Sequence, residues 1–139
     1  SIDDYMGHEV LQAVFEAPRL KKFSIRSEML NLNWDGFELL KNVSISHLSI
    51  PTNDIRFVKK IFKLLPNLQQ LFCSYADQEI LKFLSENAKN LRSLSIEFLN
   101  IEDFSKHQIL KKVHFLDVKN YLSRMQNTPN KWRAFCNVI

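Results

Sequence analysis

Leu68-Gln69-Gln70-Leu71-Phe72-Cys73 carries apolar residues at its first, fourth and sixth positions, and four other stretches of the chain carry the same pattern. These other stretches are Leu20–Ile25, Ile45–Ile50, Leu91–Ile96 and Val113–Val118. The first positions of the five stretches follow one another at intervals of 25, 23, 23 and 22 residues. The alternation at the end of each stretch predicts a strand, and the regular spacing indicates a repeated structural unit.

A repeat of roughly 20 to 29 residues with this apolar pattern is typical of a leucine-rich-repeat solenoid, in which each unit supplies one strand and one return helix. The sequence therefore predicts an α/β fold with parallel strands on the concave side and helices on the convex side. The strands are expected near residues 20–25, 45–50, 68–73, 91–96 and 113–118. We expect residues 1–139 to form a single domain of about five repeats, which need one another to bury their apolar faces, within a longer protein. An ordinary α/β sheet with short helices would also explain the spacing.

The segments between the predicted strands carry helical patterns of apolar residues. After the second strand, Thr52 or Asn53 could cap a helix by accepting a hydrogen bond from a backbone amide. Asp77 is the corresponding candidate after the third strand, and Asp103 or Ser105 after the fourth. The apolar stripes that follow the first two caps are Val58, Ile61, Phe62 and Leu65, and Ile80, Leu81, Leu84 and Ala88.

Helices are also expected outside these repeats. At the N-terminal end, a helix is predicted by the spacing of Val10, Leu11, Val14 and Phe15. Asp35-Gly36 suggests a turn, followed by a short helix through Phe37, Leu39 and Leu40. Thr128 followed by Pro129 predicts the start of a final helix. One side of that helix would carry Trp132, Phe135, Cys136 and Ile139.

The composition excludes several classes of protein. Hydrophobic residues make up 45% of the chain, charged residues 24%, and the formal net charge is +4. No apolar run approaches the ~18–20 residues needed to span a membrane, so we expect no membrane partner. Two cysteines are too few for a disulfide framework, and Cys73 at an inward strand position is predicted to be a small core residue. We therefore expect a reduced, cytoplasmic or nuclear protein.

No pattern in the sequence indicates catalysis or metal binding. The four histidines lack the paired spacing of metal ligands, and two glycines cannot build a phosphate-binding loop. Cys73 and His47 would lie on adjacent strands but point to opposite faces. Asn42-Val43-Ser44 matches a glycosylation acceptor, which is a weak signal. We expect no enzyme activity, no catalytic residue, no metal site and no cofactor.

The surface that could bind a partner follows from the strand pattern. If the first, fourth and sixth positions point inward, the third, fifth and seventh point onto the concave side. The third positions are Lys22, His47, Gln70, Ser93 and Phe115. The fifth positions are Ser24, Ser49, Phe72, Ser95 and Asp117. The seventh positions are Arg26, Pro51, Ser74, Glu97 and Lys119.

This predicted face is nearly neutral, with three cations and two anions, whereas a face built for phosphate would be basic. Small serines surround Phe72 and Phe115, which suggests a surface that binds another protein, with the two aromatic rings as anchors. All of its residues except Pro51 are candidate partner-binding residues. The alternative is that neighbouring loops cover both rings and that the face is merely solvated.

The third and fourth repeats resemble the cysteine-containing leucine-rich repeats of F-box substrate adaptors. The resemblance rests on Asp77, Leu81, Leu84 and the Asn90-Leu91 junction, which Pro66-Asn67-Leu68 repeats one unit earlier. Tyr75 and Ala76 stand where that family has a cysteine, and the family's Ile-Thr pair before the aspartate is missing. The chain is also similar to the shortened, Phe- and Lys-rich repeats that follow F-boxes in nematode proteins.

The resemblance implies a recognition surface, commonly for a protein destined for ubiquitination, and a Skp1-like linker that would bind a region outside this chain. We therefore expect a non-catalytic protein-binding module, with substrate recognition in an F-box type ubiquitin-ligase adaptor as its specific role. Nucleic acid is a possible partner but is not favoured. One alternative is a nucleic-acid-associated factor, for RNA binding or export, with a basic convex face. Its cations would be Arg56, Lys59, Lys60, Lys63, Lys111, Lys112, Arg124, Lys131 and Arg133. The other alternative is a purely structural solenoid segment.

Overall fold

The computed structural model describes residues 2–32, 34, 39–123 and 126–131. Within these residues the α-helices are α1 (Ile2–Glu16), α2 (Ile55–Leu64), α3 (Gln78–Asn87) and α4 (Ile109–Lys112). The strands are β1 (Lys22–Ser24), β2 (His47–Ile50), β3 (Gln70–Asp77), β4 (Ser93–Asn100), β5 (Phe115–Ser123) and β6 (Gln126–Lys131). Short 3₁₀ helices cover Ser27–Asn31 and Phe104–Lys106.

Strands β1 to β5 form a parallel sheet in sequence order, and β6 pairs with β5 in the antiparallel direction. Leu48, Leu71 and Leu94 occupy the same register in β2, β3 and β4. The prediction of an α/β fold with these leucines side by side in adjacent parallel strands is confirmed. The equal register follows from the repeat pattern, because a shift of one residue would turn every leucine away from the core.

The observed strands differ from the predicted ones at both ends. Strands β2 to β5 begin two residues after the first apolar position of each repeat. Strands β3 to β5 also run past the predicted ends, because Tyr75–Asp77 pairs with Phe98–Asn100, which pairs with Asn120–Leu122. Strand β1 is shorter than predicted, although the Ile25 amide still donates to the Ser49 carbonyl at 2.9 Å.

A repeated turn sets where each strand begins. The Ser46 carbonyl accepts hydrogen bonds from the amides of Gln69 and Gln70, both at 2.9 Å, and the Gln69 carbonyl accepts from Arg92 and Ser93 at 2.8 and 3.0 Å. The Lys21 and Arg92 carbonyls do the same for the repeats that follow them. One carbonyl in each repeat therefore holds two consecutive amides of the next repeat, immediately before strand pairing starts.

The core lies between the sheet and the helices on one of its faces. Leu48, Leu71 and Leu94 are 3%, 2% and 0% exposed. The apolar stripes of α2 and α3 pack against the same cluster, and the rings of Phe62 and Phe83 meet edge to face with their centroids 5.5 Å apart. Burial of this shared face is the main driving force for stacking one repeat on the next.

The helix caps were predicted correctly after the third and fourth strands and wrongly after the second. Asp103, one of the two candidates after the fourth strand, caps the 3₁₀ helix Phe104–Lys106, with its carboxylate accepting from the Ser105 amide at 2.9 Å. The Asp77 carboxylate accepts a hydrogen bond from the Ile80 amide at 3.0 Å and caps α3, as predicted. The cap of α2 is Asp54 rather than Thr52 or Asn53. The Thr52 hydroxyl instead accepts from the Asp54 amide at 3.1 Å, and the Asn53 amide group donates to Asp77 Oδ2 at 3.3 Å. Both predicted caps therefore have other partners just before the helix begins.

The predictions for the remaining segments had mixed outcomes. The N-terminal helix is present as α1, with Leu11 and Phe15 buried, but Val10 is 55% exposed and does not belong to the packed stripe. The prediction of a helix starting at Thr128–Pro129 was wrong, because this segment forms β6 and pairs with the edge of β5. Leu39 and Leu40 are not helical. The other residues of these two predicted helices lie outside the described residues: Asp35, Gly36, Phe37, Trp132, Phe135, Cys136 and Ile139.

Asn42 connects α1 to the second repeat. Its side chain is 4% exposed, and its Nδ2 donates to the carbonyls of Val14, Phe15 and Ala17 at 3.1, 3.2 and 2.9 Å. Its Oδ1 accepts hydrogen bonds from the amides of Ser44 and Ile45 at 2.8 and 3.0 Å. Asn42 thus satisfies the buried Phe15 carbonyl at the end of α1, whereas the Val14 and Ala17 carbonyls also accept from the Ala17 amide and from Ser44 Oγ, both at 3.3 Å. The same contacts engage the amide group that glycosylation would need.

We expect Asn42→Ala to lower the free energy of unfolding by roughly 2 kcal/mol or more, because the buried Phe15 carbonyl and the buried Ile45 amide lose their partner. The measurement is urea denaturation followed by circular dichroism. Asn67→Ala is the matched control, because Asn67 is exposed and its Nδ2 donates to one carbonyl, that of Val43, at 2.8 Å. Equal losses in the two variants would contradict this role for Asn42.

Candidate functional site

The face of the parallel sheet opposite the core carries the predicted ladders of side chains in register. Lys22 pairs with His47, His47 with Gln70, Gln70 with Ser93, and Ser93 with Phe115. The next ladder joins Ser24, Ser49, Phe72, Ser95 and Asp117. Ser74, Glu97 and Lys119 continue it in β3, β4 and β5.

We call this surface the open face. It comprises Lys22, Ser24, His47, Ser49, Gln70, Phe72, Ser74, Ser93, Ser95, Glu97, Phe115, Asp117 and Lys119. Of the predicted binding residues, Arg26 lies outside it, because β1 ends at Ser24 and Arg26 follows as an exposed residue. Pro51, which stands at the same repeat position, follows the end of β2. The third ladder therefore exists over three strands rather than five.

The aromatic rings of the open face stand among short polar side chains. Phe72 is partly buried and lies in register between Ser49 and Ser95. Phe115 is 42% exposed and lies in register with Ser93. Because serine side chains are short, they leave room beside each ring for groups from another molecule.

A shallow depression of about 350 Å³ lies on the side of the open face nearer to β1. Its lining includes Ser24, His47, Ser49, Phe72 and Ser95. His47 is held in place there by its neighbour, with Ser46 Oγ and His47 Nδ1 2.7 Å apart. The depression therefore has one aromatic wall and a surface that is more apolar than polar, although polar side chains line it. Its volume is at the lower end of the range for small-molecule sites, and it can also receive side chains of a partner.

Asp117 carries a buried polar atom on the open face. Its Oδ1 is buried and has no hydrogen-bond partner among the described residues. A buried acceptor without a partner costs roughly 1–3 kcal/mol. Asp117 lies two residues from Phe115 on β5 and in register with Ser95. A buried acceptor without a partner among the described residues therefore lies close to an exposed ring, and a donor from another molecule could reach it once the Asp117 side chain turns outward.

Sequence reasoning missed a second exposed aromatic residue, Phe98, which is 41% exposed. In β4 the buried positions are Leu94, Ile96 and Leu99, so the alternation shifts by one residue after Ile96. Phe98 pairs with Tyr75, whose hydroxyl accepts a hydrogen bond from Asn100 Nδ2 at 2.9 Å. The signal was present in the sequence, because both aromatics stand at the eighth position of their repeats.

Among the described residues, the side chains that could support catalysis or bind a metal do not lie close together. Cys73 is fully buried, and this burial raises the pKa of its thiol to about 12, so the reactive thiolate is suppressed at neutral pH. Its inward orientation agrees with the sequence prediction, and His47 lies on the opposite face. Among the described residues, no group of three His, Cys, Asp or Glu side chains is arranged to hold a metal ion.

The cationic side chains predicted to form a basic convex face differ in their exposure to solvent. On α2, Lys59 and Lys63 are exposed, and the Arg56 side chain is 91% exposed with its Nε 3.7 Å from Asp54 Oδ1. Lys60 is partly buried, whereas Lys111 and Lys112 on α4 are exposed. The side chains of Arg124, Lys131 and Arg133 lie outside the described residues. The exposed cations of α2 lie opposite its buried residues, which is the usual arrangement on the solvent-exposed face of an amphipathic helix.

In the described part of the chain, no helix has the length and apolar character needed to cross a membrane. Comparison of the chain with protein-family models, with curated proteins and with solved structures found no match. The function is therefore inferred from the geometry of the open face and from the repeat pattern.

Proposed function

We propose that this chain is a segment of a leucine-rich-repeat solenoid and that its open face is a non-catalytic protein-binding surface. In such a solenoid the open face would be the concave side, with α2 and α3 on the convex side. Support comes from one parallel strand per repeat, with Leu48, Leu71 and Leu94 in the same register. The regular intervals of 22 to 25 residues between repeats support it as well.

The observation that carries the binding role is the pair Phe115 and Asp117 on β5. Phe115 exposes 42% of its surface, and Asp117 keeps a buried oxygen without a hydrogen-bond partner among the described residues. Each arrangement is unfavourable in the free protein, because apolar surface meets water and an acceptor stays unsatisfied. A protein partner can cover the ring, and a turn of the Asp117 side chain on binding would bring its buried oxygen to a donor of that partner.

The charge of the open face fits a protein rather than a phosphate backbone. Lys22 and Lys119 are balanced by Glu97 and Asp117. A phosphate-binding surface gains its affinity from an excess of cations, which this face lacks. The serine-rich ladders offer both hydrogen-bond donors and acceptors, which suits backbone and polar side chains of a protein.

We further propose that the bound protein is a substrate of an F-box type ubiquitin-ligase adaptor. This role is supported by the resemblance of the repeats around Asp77 and Asn90, and by the structural use of both residues. Asp77 caps α3, and Asn90 Nδ2 donates to the Pro66 carbonyl of the preceding repeat at 3.3 Å. Both residues therefore help to build the repeat, which explains their place in the pattern.

The binding role is tested by replacing the two anchors together, Phe72→Ala with Phe115→Ala. Loss of aromatic anchors typically costs about 2 kcal/mol or more in binding, which corresponds to a roughly 30-fold rise in Kd. The partner is first recovered by affinity capture with the full-length protein, and its Kd for residues 1–139 is then measured by calorimetry.

Leu40→Ala is the matched control, because Leu40 is 64% exposed and lies outside the sheet. The control should change the Kd less than twofold, and circular dichroism should show that both variants keep the fold. An unchanged Kd in the double variant would refute the placement of the binding site on the open face.

Asp117→Ala is expected to act in opposite directions on stability and on binding. Removing the unpaired oxygen should raise the free energy of unfolding by about 1 kcal/mol, whereas loss of the acceptor should weaken partner binding. Glu86→Ala serves as control, because Glu86 is an exposed carboxylate on α3 outside the open face, and it should change both quantities little. If Asp117→Ala destabilises the fold, the oxygen has a partner within the chain and the assigned role is wrong.

The adaptor role is tested separately with the full-length protein. We expect a Skp1-like linker to co-purify with it through a region other than residues 1–139, and the Phe72→Ala, Phe115→Ala variant to retain this linker while losing its substrate. The measurement is quantitative mass spectrometry of the captured proteins. Absence of a Skp1-like linker from the full-length complex would reject the adaptor role but not the binding face.

A further inference from the structure

The two edges of the parallel sheet carry opposite charge. The segments that precede β1 to β5, namely 17–21, 41–46, 65–69, 88–92 and 110–114, contain no Asp or Glu. Their basic residues are Arg19, Lys21, Lys41, Lys89, Arg92, Lys111, Lys112 and His114. We call this the leading edge, because the amino ends of parallel strands meet at one edge of the sheet.

The opposite edge, where β1 to β4 end, is acidic. The segments 25–28, 51–54, 77–79 and 101–103 contain one cation, Arg26. Their acidic residues are Glu28, Asp54, Asp77, Glu79, Glu102 and Asp103. Three of these are helix caps, which explains acidity at this edge by local structure. The cations of the leading edge need a different explanation.

Helix dipoles explain only part of the basic edge. Lys111 and Lys112 lie in the last turn of α4, where positive charge is favourable. Lys21, Lys89 and Arg92 lie outside the helices and are exposed. No ion pair is formed by these three residues within the described part of the chain. Their charge is therefore not used by the fold.

These three cations line one groove. The groove has a volume of about 850 Å³, and Lys112 and His114 complete its basic lining. The rest of the lining is mostly polar, including Ser46 and Gln69, with Val43 and Leu91 as larger apolar members, and no carboxylate contributes among the described residues. Unpaired cations around a groove without a carboxylate create a positive potential that favours an anionic occupant.

We propose that the partner protein that covers the open face also places an acidic segment in this groove. This proposal rests on the function proposed above. The groove joins the open face through consecutive residues, since Lys21, Gln69 and Arg92 line the groove while Lys22, Gln70 and Ser93 line the depression. A protein that covers the open face can therefore continue into the groove without leaving the surface.

The groove suits aspartate and glutamate side chains better than a nucleic acid. Among the described residues no Phe, Tyr or Trp side chain lines it, and His114 supplies its one aromatic ring, whereas single-stranded nucleic acids gain much of their affinity from stacking successive bases on aromatic rings. Glu97 and Asp117 on the adjoining open face would also repel a phosphate backbone that extended there. An acidic segment next to a neutral protein surface matches both regions.

Exposed ion pairs contribute little affinity one by one, so the groove should act mainly on association rate and salt dependence. The probe is a fluorescein-labelled octaglutamate peptide, whose binding to residues 1–139 is measured by anisotropy at low and at high salt. We expect salt-sensitive binding that falls at least tenfold in the variant Lys21→Glu, Lys89→Glu, Arg92→Glu. The control variant Arg56→Glu, Lys59→Glu, Lys63→Glu carries the same charge change on α2 and should keep most of the affinity.

Two further measurements make the outcome decisive. The Phe72→Ala, Phe115→Ala variant should bind octaglutamate like the unmodified chain, so failure of the groove and failure of the open face are separable. Binding of labelled single-stranded and duplex oligonucleotides, each with the same charge as the peptide, is measured in parallel for comparison with octaglutamate. The proposal is overturned if octaglutamate does not bind, if both charge-reversal variants lose binding equally, or if an oligonucleotide binds the groove more tightly than the peptide.

Discussion

Each repeat is joined to the next by a backbone carbonyl that accepts two consecutive amides at the leading edge. The carbonyls of Lys21, Ser46, Gln69 and Arg92 accept these pairs at distances of 2.8 to 3.1 Å. Because these bonds use only the backbone, they hold the register whatever side chains the repeat carries. The leucines then meet in one plane of the core, and stacking becomes cooperative. Without this register the apolar faces of the repeats could not cover one another.

The same constraint decides what the opposite face presents. Once Leu71 lies beside Leu48 and Leu94, Phe72 must lie between Ser49 and Ser95. Phe115 and Asp117 are likewise fixed on the outer side of β5, where Phe115 exposes its ring and Asp117 keeps a buried oxygen without a partner among the described residues. The leucine core therefore fixes the positions of the open-face residues. The exposed ring of Phe115 on that face can be covered by a partner.

Parallel strands also separate charge across the sheet. Residues before the strands all lie at one edge and residues after them at the other, so small biases in each repeat add up along the edge. Caps such as Asp54 and Asp77 make one edge acidic for reasons of helix stability. Lys21, Lys89 and Arg92 at the other edge serve no such purpose, which is why they carry the inference of a binding groove.

The sequence by itself determined which segments form the parallel strands, their inward leucines, the first two outward ladders and the caps Asp77 and Asp103, because each depends on spacing within one repeat. Only the tertiary structure decided the extension of β3 to β5, the exposure of Phe98, the choice of Asp54 as cap and the pairing of β6 where a helix was expected. It also decided that Asn42 is buried and that Asp117 lacks a partner among the described residues. These features depend on groups that are distant in the chain, and the pattern of a single repeat carries no information about them.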